Sequence, residues 1–276
     1  MAILPLKDDN VLKHIQFQYV TVGLIVACVA VFLWQFSLSE NDGRAVLQFG
    51  TIPTVLFGKR NLAPELYVIP SYLSLFTSQF LHGGWMHLIF NMLFLWVFGD
   101  NVEDSMGHSR FFIFFLVTGA IAALAHAAVE ANSSAPLIGA SGAISGILGA
   151  YLVLHPKARL LVLFMNVIPL RLPAFVVLLG WIGLQFWSLS GGESNTAWWA
   201  HIGGFAAGMI LIVPFKRRGV PLFDGAGRFK PADATLAEMA EADEQRHAKS
   251  IFPNTVASRP RVLAPMPGSI GRQKTS

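Results

Sequence analysis

Long apolar segments alternate with short polar ones along the first 215 residues of the chain. A helix needs about 20 mostly apolar residues to cross the hydrocarbon layer of a membrane, which is roughly 30 Å thick. Six segments are long and apolar enough, and we expect each to be a membrane-spanning helix: 20–36, 75–98, 111–129, 137–154, 172–189 and 198–215. A seventh apolar run, "LLVLFMNVI", is too short to span.

The composition agrees with this pattern. Hydrophobic residues make up 54% of the 276 residues and charged residues only 13%, which is too little polar surface for an ordinary soluble globule. The chain is therefore predicted to be an all-α membrane protein. We expect an N-terminal segment at 1–18, a six-helix membrane domain at 19–215 and a largely flexible tail at 216–276, in which 233–249 has the pattern of an amphipathic helix.

The distribution of Lys and Arg predicts how the chain is threaded. Loops on one side of the predicted spans carry Lys7, Lys13, Arg110, Lys157, Arg159, Arg171, Lys216, Arg217 and Arg218, whereas the other side has only Arg44, Lys59 and Arg60. Because cytoplasmic loops are enriched in positive charge, we expect both termini in the cytoplasm and the six spans in the inner cell membrane.

Polar side chains lie at one depth in three of these spans. His87 and Asn91 are in the second span, Ser141 is in the fourth and His201 is in the sixth, all near the outer ends. Such residues are costly in hydrocarbon, so each is a candidate for function. His87 and Asn91 are four positions apart and share a helix face, so they can act on one target.

Small residues predict that the fourth and sixth helices pack closely. Gly142 and Gly146 form one row with four-residue spacing, and Ala200, Gly204 and Gly208 form another. Such rows let helix backbones approach each other in membranes. Close packing of the two helices brings Ser141 and His201 within hydrogen-bond reach.

These residues supply the parts of a serine hydrolase. A histidine can take the proton of a serine hydroxyl and later return it to a leaving amine, which are the roles of His201 and Ser141. Asn91, His87 and the free N–H groups at the start of the fourth helix can donate to an oxyanion. No Asp or Glu occurs in the last five spans, so the pattern favours a Ser–His dyad. Taken singly, the serine and Asn91 could instead serve helix packing.

The motifs "HLIFN", "GASG" and "AHIGGFAAG", together with "FGDNVED", resemble the rhomboid family of intramembrane serine proteases over about residues 47–215. The resemblance implies a six-helix bundle in which Ser141 attacks, His201 is base and acid, and His87 and Asn91 stabilise the oxyanion. It also implies that transmembrane helices of other proteins are cut near the outer face of the bilayer. It implies no metal, no other cofactor and no nucleic-acid partner, and it leaves the oligomeric state open.

Two features depart from some members of that family. Ser145 stands where an aromatic residue stacks on the catalytic histidine, and no Trp occurs between Trp34 and Trp85, so the Trp-Arg pair of the first outer loop is missing.

We also expect Glu103 and Arg110 to pair in the turn after the second span.

Two rival interpretations remain. One is a catalytically silent rhomboid-like protein that binds or escorts membrane proteins. The other is a transporter or metal site built from His82, His87, His126 and His201, although the sequence has no HExxH motif.

Overall fold

The computed structural model describes residues 3–38, 42–165, 167–190 and 197–224. The predicted amphipathic helix at 233–249 lies outside the described residues. The α-helices are α1 (Tyr19–Ser37), α2 (Asp42–Phe49), α3 (Pro53–Leu56), α4 (Ser74–Thr77), α5 (Trp85–Met106), α6 (His108–Val129), α7 (Ser141–Leu154), α8 (Ala174–Ser190) and α9 (Trp198–Phe215). The strands are β1 (Ile3–Asp8), β2 (Arg159–Phe164) and β3 (Ile168–Pro173).

The described part of the chain is mostly helical and belongs to a multi-pass membrane protein. The helices α1, α6 and α9 are each long and apolar enough to cross a membrane, and α5 adds a fourth if it counts together with the bent segment before it. The helices α7 and α8 are apolar but shorter than a full span. The count of six spans therefore stays a prediction.

The second predicted span begins later in the structure than the sequence pattern indicates. The helix α5 starts at Trp85 rather than at residue 75, and the chain bends by 83° between residues 71–80 and α5. Gly84 has φ +148°, a backbone conformation that glycine adopts far more readily than other residues. His82 therefore lies in the connection before α5, where its side chain is fully buried.

A small antiparallel sheet corrects the all-α prediction. Its strand order is β1-β2-β3, with Leu160 opposite Leu172 and Val162 opposite Leu170. The run that was too short to span supplies residues 160–164 of β2 and the first residue of β3, Ile168. Leu160 and Val162 alternate along β2 and are buried in the main core, so the sheet covers one end of the helical bundle.

A buried carboxylate ties β1 to this bundle. Asp8 Oδ2 accepts hydrogen bonds of 2.7 Å from the Tyr151 hydroxyl on α7 and of 2.7 Å from Asn101 Nδ2 on α5. Burial is the main cause that raises the pKa of Asp8 from 3.8 to about 7, and the nearby charge of Asp100 raises it further. The sheet is thus attached through a group that titrates near neutral pH.

Acidic residues at the end of α5 hold the N-terminal segment. The Asp104 carboxylate accepts hydrogen bonds from the three backbone N–H groups of residues 13–15. Glu103 accepts two from the first turn of α1, where a negative charge is favoured by the helix dipole. The expected Glu103–Arg110 pair is wrong, because Glu103 bonds to α1 and to His108 Nδ1 and Arg110 donates to the Lys216 carbonyl oxygen.

The helix α7 lies at the centre of the bundle. All its residues from Gly142 to Leu154 are buried. It packs against α9 most extensively, and also against α6 and α5. This position places the N-terminal end of α7 between several helices, where other side chains can reach it.

Candidate active site

Ser141 is the first residue of α7, and the chain before it is held in place from two sides. Leu137 and Thr51 exchange backbone hydrogen bonds of 2.8 and 3.0 Å, and Gly139 N–H donates to the Ser78 carbonyl oxygen at 2.9 Å. Gly139 has φ +117°, which favours glycine at this position. Ser141 therefore lies in the first helical turn, where backbone N–H groups have no partner within the helix.

The helix α9 brings His201 to this serine. His201 Nε2 lies 2.9 Å from Ser141 Oγ. The approach depends on the glycines, because a Cβ added at Gly204 would overlap the Gly142 carbonyl and one at Gly208 would overlap the Gly146 carbonyl. The predicted close packing of these two helices is confirmed.

Ser145, one turn further along α7, is buried and bonds to the backbone of its own helix. Its hydroxyl donates to the Ser141 carbonyl oxygen at 2.6 Å, a local bond of the kind that serine makes within helices. The structure thus distinguishes two serines that the sequence spacing alone left equivalent. Of these two serines, Ser141 has its hydroxyl within hydrogen-bond distance of His201.

The second nitrogen of His201 has a partner that the sequence analysis missed. His201 Nδ1 lies 2.8 Å from Gln185 Oε1 on α8. The ring centroid of Trp181 lies 5.8 Å from that of the imidazole, and the ring centroid of Trp198 lies 6.1 Å from it. Gln185 could have been found from the sequence, since an amide within the apolar segment "WIGLQFW" calls for a partner.

His87 and Asn91 lie beside the turn that precedes Ser141. A Cβ placed at Gly139 would be 2.7 Å from His87 Nε2 and 3.8 Å from Asn91 Nδ2, so both side chains face this part of the backbone. His87 Nδ1 accepts a hydrogen bond of 3.3 Å from Gly83 N–H. A neutral His87 then carries its proton on Nε2, the nitrogen that faces Gly139.

Asn91 has an unused donor at this place. Its Nδ2 is buried and has no hydrogen-bond partner among the described residues. Buried polar groups are normally paired, and an unpaired one is common where a ligand or reaction intermediate binds. The amide is thus available to a group that enters beside Gly139.

The other two predicted histidines are not among the hydrogen-bond partners that the described residues give to Ser141 and His201. His82 is buried beside His87, with ring centroids 5.2 Å apart, and its Nδ1 bonds to the Phe80 carbonyl oxygen. His126 lies on α6, near the end of that helix. Over the described ranges, no group of three or more His, Cys, Asp or Glu side chains could hold a metal ion.

The structure is that of a multi-pass membrane protein with a serine hydroxyl in contact with a histidine between two of its helices. Comparison with known proteins identifies the family. The family model of the Rhomboid domain matches residues 70–218. Since this is more than half of the chain, the protein belongs to the rhomboid family.

Individual relatives agree with this assignment. The chain is 31% identical over 146 residues to "Rhomboid protein 1, mitochondrial" of Saccharomyces cerevisiae. The matched segment is 51% of this chain and 41% of that relative. It is 29% identical over 205 residues to "Putative rhomboid protease YdcA" of Bacillus subtilis, covering 70% of this chain and 87% of that protein. "Rhomboid protease GluP" of the same organism is 31% identical over 185 residues, which is 66% of this chain and 32% of the relative.

Proposed function

We propose that the chain is an intramembrane serine endopeptidase that cleaves the transmembrane helices of other membrane proteins. The observation that carries this proposal is the 2.9 Å contact between Ser141 Oγ and His201 Nε2. It is within the range at which a histidine can remove a proton from a serine hydroxyl. Membership of a family that includes proteases supports the same reaction class.

The first half of the reaction forms an acyl-enzyme. As Ser141 Oγ bonds to the carbonyl carbon of the scissile peptide, its proton passes to His201 Nε2. The tetrahedral intermediate then collapses, the C–N bond breaks, and His201 gives the proton to the leaving amine. In the second half, the same nitrogen takes a proton from a water molecule as it attacks the ester, and His201 returns that proton to Ser141 Oγ as the C–O bond breaks and the new carboxyl end leaves.

The negative charge of each intermediate needs hydrogen-bond donors. We assign this role to Asn91 Nδ2, to the protonated nitrogen of His87 and to the backbone N–H groups at the start of α7. The unpaired Asn91 amide and the position of both side chains beside Gly139 support the assignment. Donors that are already aimed at the developing charge need no rearrangement during the reaction.

The substrate class follows from where the dyad lies. Ser141 stands at the N-terminal end of α7, so cleavage falls near one face of the membrane, and the Lys and Arg distribution assigns this to the outer face. We include in the proposal six spans in the inner cell membrane and both termini in the cytoplasm. A substrate helix has to unwind locally before its peptide carbonyl can meet Ser141.

The test uses the purified protein in liposomes with a panel of labelled single-span substrates. We expect wild type to cut at least one substrate and Ser141→Ala to cut none. Ser145→Ala is the matched control, because it removes a buried hydroxyl one turn away and retains cleavage. Cleavage by Ser141→Ala would show that the nucleophile is assigned wrongly. Binding of substrates by wild type without any cleavage would favour the escort interpretation.

A further inference from the structure

Gln185 contacts the side of His201 that faces away from Ser141. It is almost fully buried on α8, and its Oε1 lies 2.8 Å from His201 Nδ1. Its Nε2 donates to the Trp181 carbonyl oxygen at 3.3 Å. Both ends of one amide are therefore engaged within the bundle.

This pair of contacts determines which way the amide points. The Trp181 carbonyl can only accept a hydrogen bond, so it requires the amide nitrogen on its side. The opposite orientation would place two oxygens against each other and turn the NH₂ group toward His201. The amide oxygen therefore faces His201 Nδ1.

An acceptor at Nδ1 decides the tautomer of the imidazole. A neutral histidine carries one proton, and an acceptor 2.8 Å from Nδ1 favours the form with that proton on Nδ1. Nε2 then has its lone pair free toward the Ser141 hydroxyl, as general base catalysis requires. We propose that Gln185 is a positioning residue that holds His201 in the Nδ1–H tautomer, with Nε2 directed at Ser141.

The proposal rests on the proposed proteolytic function and explains a feature that the family comparison left open. Ser145 provides no aromatic ring to stack on His201, and no carboxylate contact with His201 is seen in the described part of the chain. Trp181 and Trp198 flank the ring instead, and Gln185 fixes its rotation. Because the amide is neutral, it orients the imidazole without the strong stabilisation of the imidazolium that a carboxylate would give.

The test compares Gln185→Met with Gln185→Glu in the liposome cleavage assay. Methionine has a similar length but no acceptor, and we expect it to lower kcat about 10- to 100-fold, a share of the total effect of general base catalysis, with KM changed less than about 3-fold. Glutamate keeps an oxygen at the same place, so it retains most of the activity. Leu184→Met, an exposed neighbour on the same helix, is the control and leaves both constants unchanged.

A pH profile separates positioning from a merely structural role. A carboxylate beside Nδ1 stabilises the imidazolium, so Gln185→Glu moves the acidic limb of kcat/KM to higher pH. His87 on α5 and His126 on α6 are the other titratable groups whose charge acts on His201, and neither is changed. A Glu variant with an unmoved limb and activity as low as that of the Met variant would show that Gln185 only supports packing.

The ring nitrogens can also be observed without any substrate. In protein with ¹⁵N-labelled histidine, the two-bond ¹⁵N–¹H pattern of His201, assigned by its loss in His201→Ala, reports the tautomer. We expect the Nδ1–H form in wild type and a mixture of tautomers in Gln185→Met. The Nε2–H form in wild type would overturn the proposal even if proteolysis is found, and the Nδ1–H form would support it even if no substrate is cut.

Discussion

Replacement of Asp8 by asparagine is expected to stabilise the protein at high pH and to remove a pH dependence of its folding. The Asp8 carboxylate is 8% exposed and accepts its hydrogen bonds from the Tyr151 hydroxyl and from Asn101 Nδ2 through a single oxygen. An asparagine carbonyl oxygen can accept both bonds. The substitution therefore keeps the contacts of β1 and removes only the buried charge.

The size of the pH effect on the free energy of unfolding follows from the pKa of Asp8, which burial raises from 3.8 to about 7 in the folded protein. Because the folded state holds this proton more tightly, the contribution of Asp8 to stability is greatest below about pH 4, falls as pH rises to about 7 and is level above that. The full shift corresponds to about 4 kcal/mol at about 1.36 kcal/mol per pKa unit. That figure is a ceiling, since β1 can separate from the bundle and rehydrate the carboxylate.

The unfolding assay can use Cys28, which is the only cysteine in the sequence and is fully buried on α1. A thiol-reactive fluorescent dye then reports thermal unfolding in detergent at pH 5 and pH 8. We expect wild type to lose stability between these values, and Asp8→Asn to lose less and to be the more stable at pH 8. Asp9→Asn, on the exposed neighbour, is the control for the change in net charge.

Hydrogen exchange of the β1 backbone amides provides a local measurement, since separation of the strand is faster than unfolding of the whole bundle. An equal fall in stability from pH 5 to pH 8 in Asp8→Asn and wild type would show that the Asp8 charge does not cause it. Faster exchange of the β1 amides in Asp8→Asn than in wild type at pH 8 would also refute a destabilising charge at Asp8.

Two further substitutions test the packing of the bundle. Gly208→Ala places a methyl group into the Gly146 carbonyl, so we expect a loss of about 1–3 kcal/mol in thermal unfolding and lower cleavage. Gly183→Ala is its control, because a Cβ there meets nothing within 4 Å. Unchanged thermal stability and cleavage in both variants would contradict the close contact of α7 and α9. Glu103→Ala leaves backbone N–H groups of the first turn of α1 without their acceptor, and we expect a loss of about 3 kcal/mol in the same assay. A loss below 1 kcal/mol would show that water replaces the carboxylate.

The sequence was most informative where one local pattern determines the contact. The four-residue spacing of Gly142 and Gly146 against Gly204 and Gly208 predicts that α7 and α9 touch along their backbones, and the structure has the glycines of the two helices in contact. The depth of Ser141 and His201 in their spans follows from counting residues along two apolar segments. These inferences need only helix periodicity and the cost of polar groups in hydrocarbon.

Features that depend on distant partners were not predictable. A short apolar run such as the one in β2 has no periodicity that separates a strand from a buried helix, and its partner β1 lies about 155 positions earlier in the chain. The pattern predicts one helix over residues 75–98 because that segment is mostly apolar, whereas α5 starts at Trp85, directly after Gly84 with its positive φ. The spacing predicts Arg110 as the partner of Glu103, whereas Glu103 accepts hydrogen bonds from α1 and contacts His108 Nδ1 at 2.6 Å.

The two halves of the dyad are positioned by different parts of the chain. Ser141 is placed by backbone bonds from Thr51 and Ser78, in the segment between α1 and α5, whereas His201 is held through its ring by Gln185 on α8. We therefore expect a change in the first segment to act mainly on the position of the nucleophile, and a change in α8 to act mainly on the tautomer of the base. This separation is why the kinetics of Gln185 variants can be interpreted without reference to the first loop, where the Trp-Arg pair of some relatives is missing.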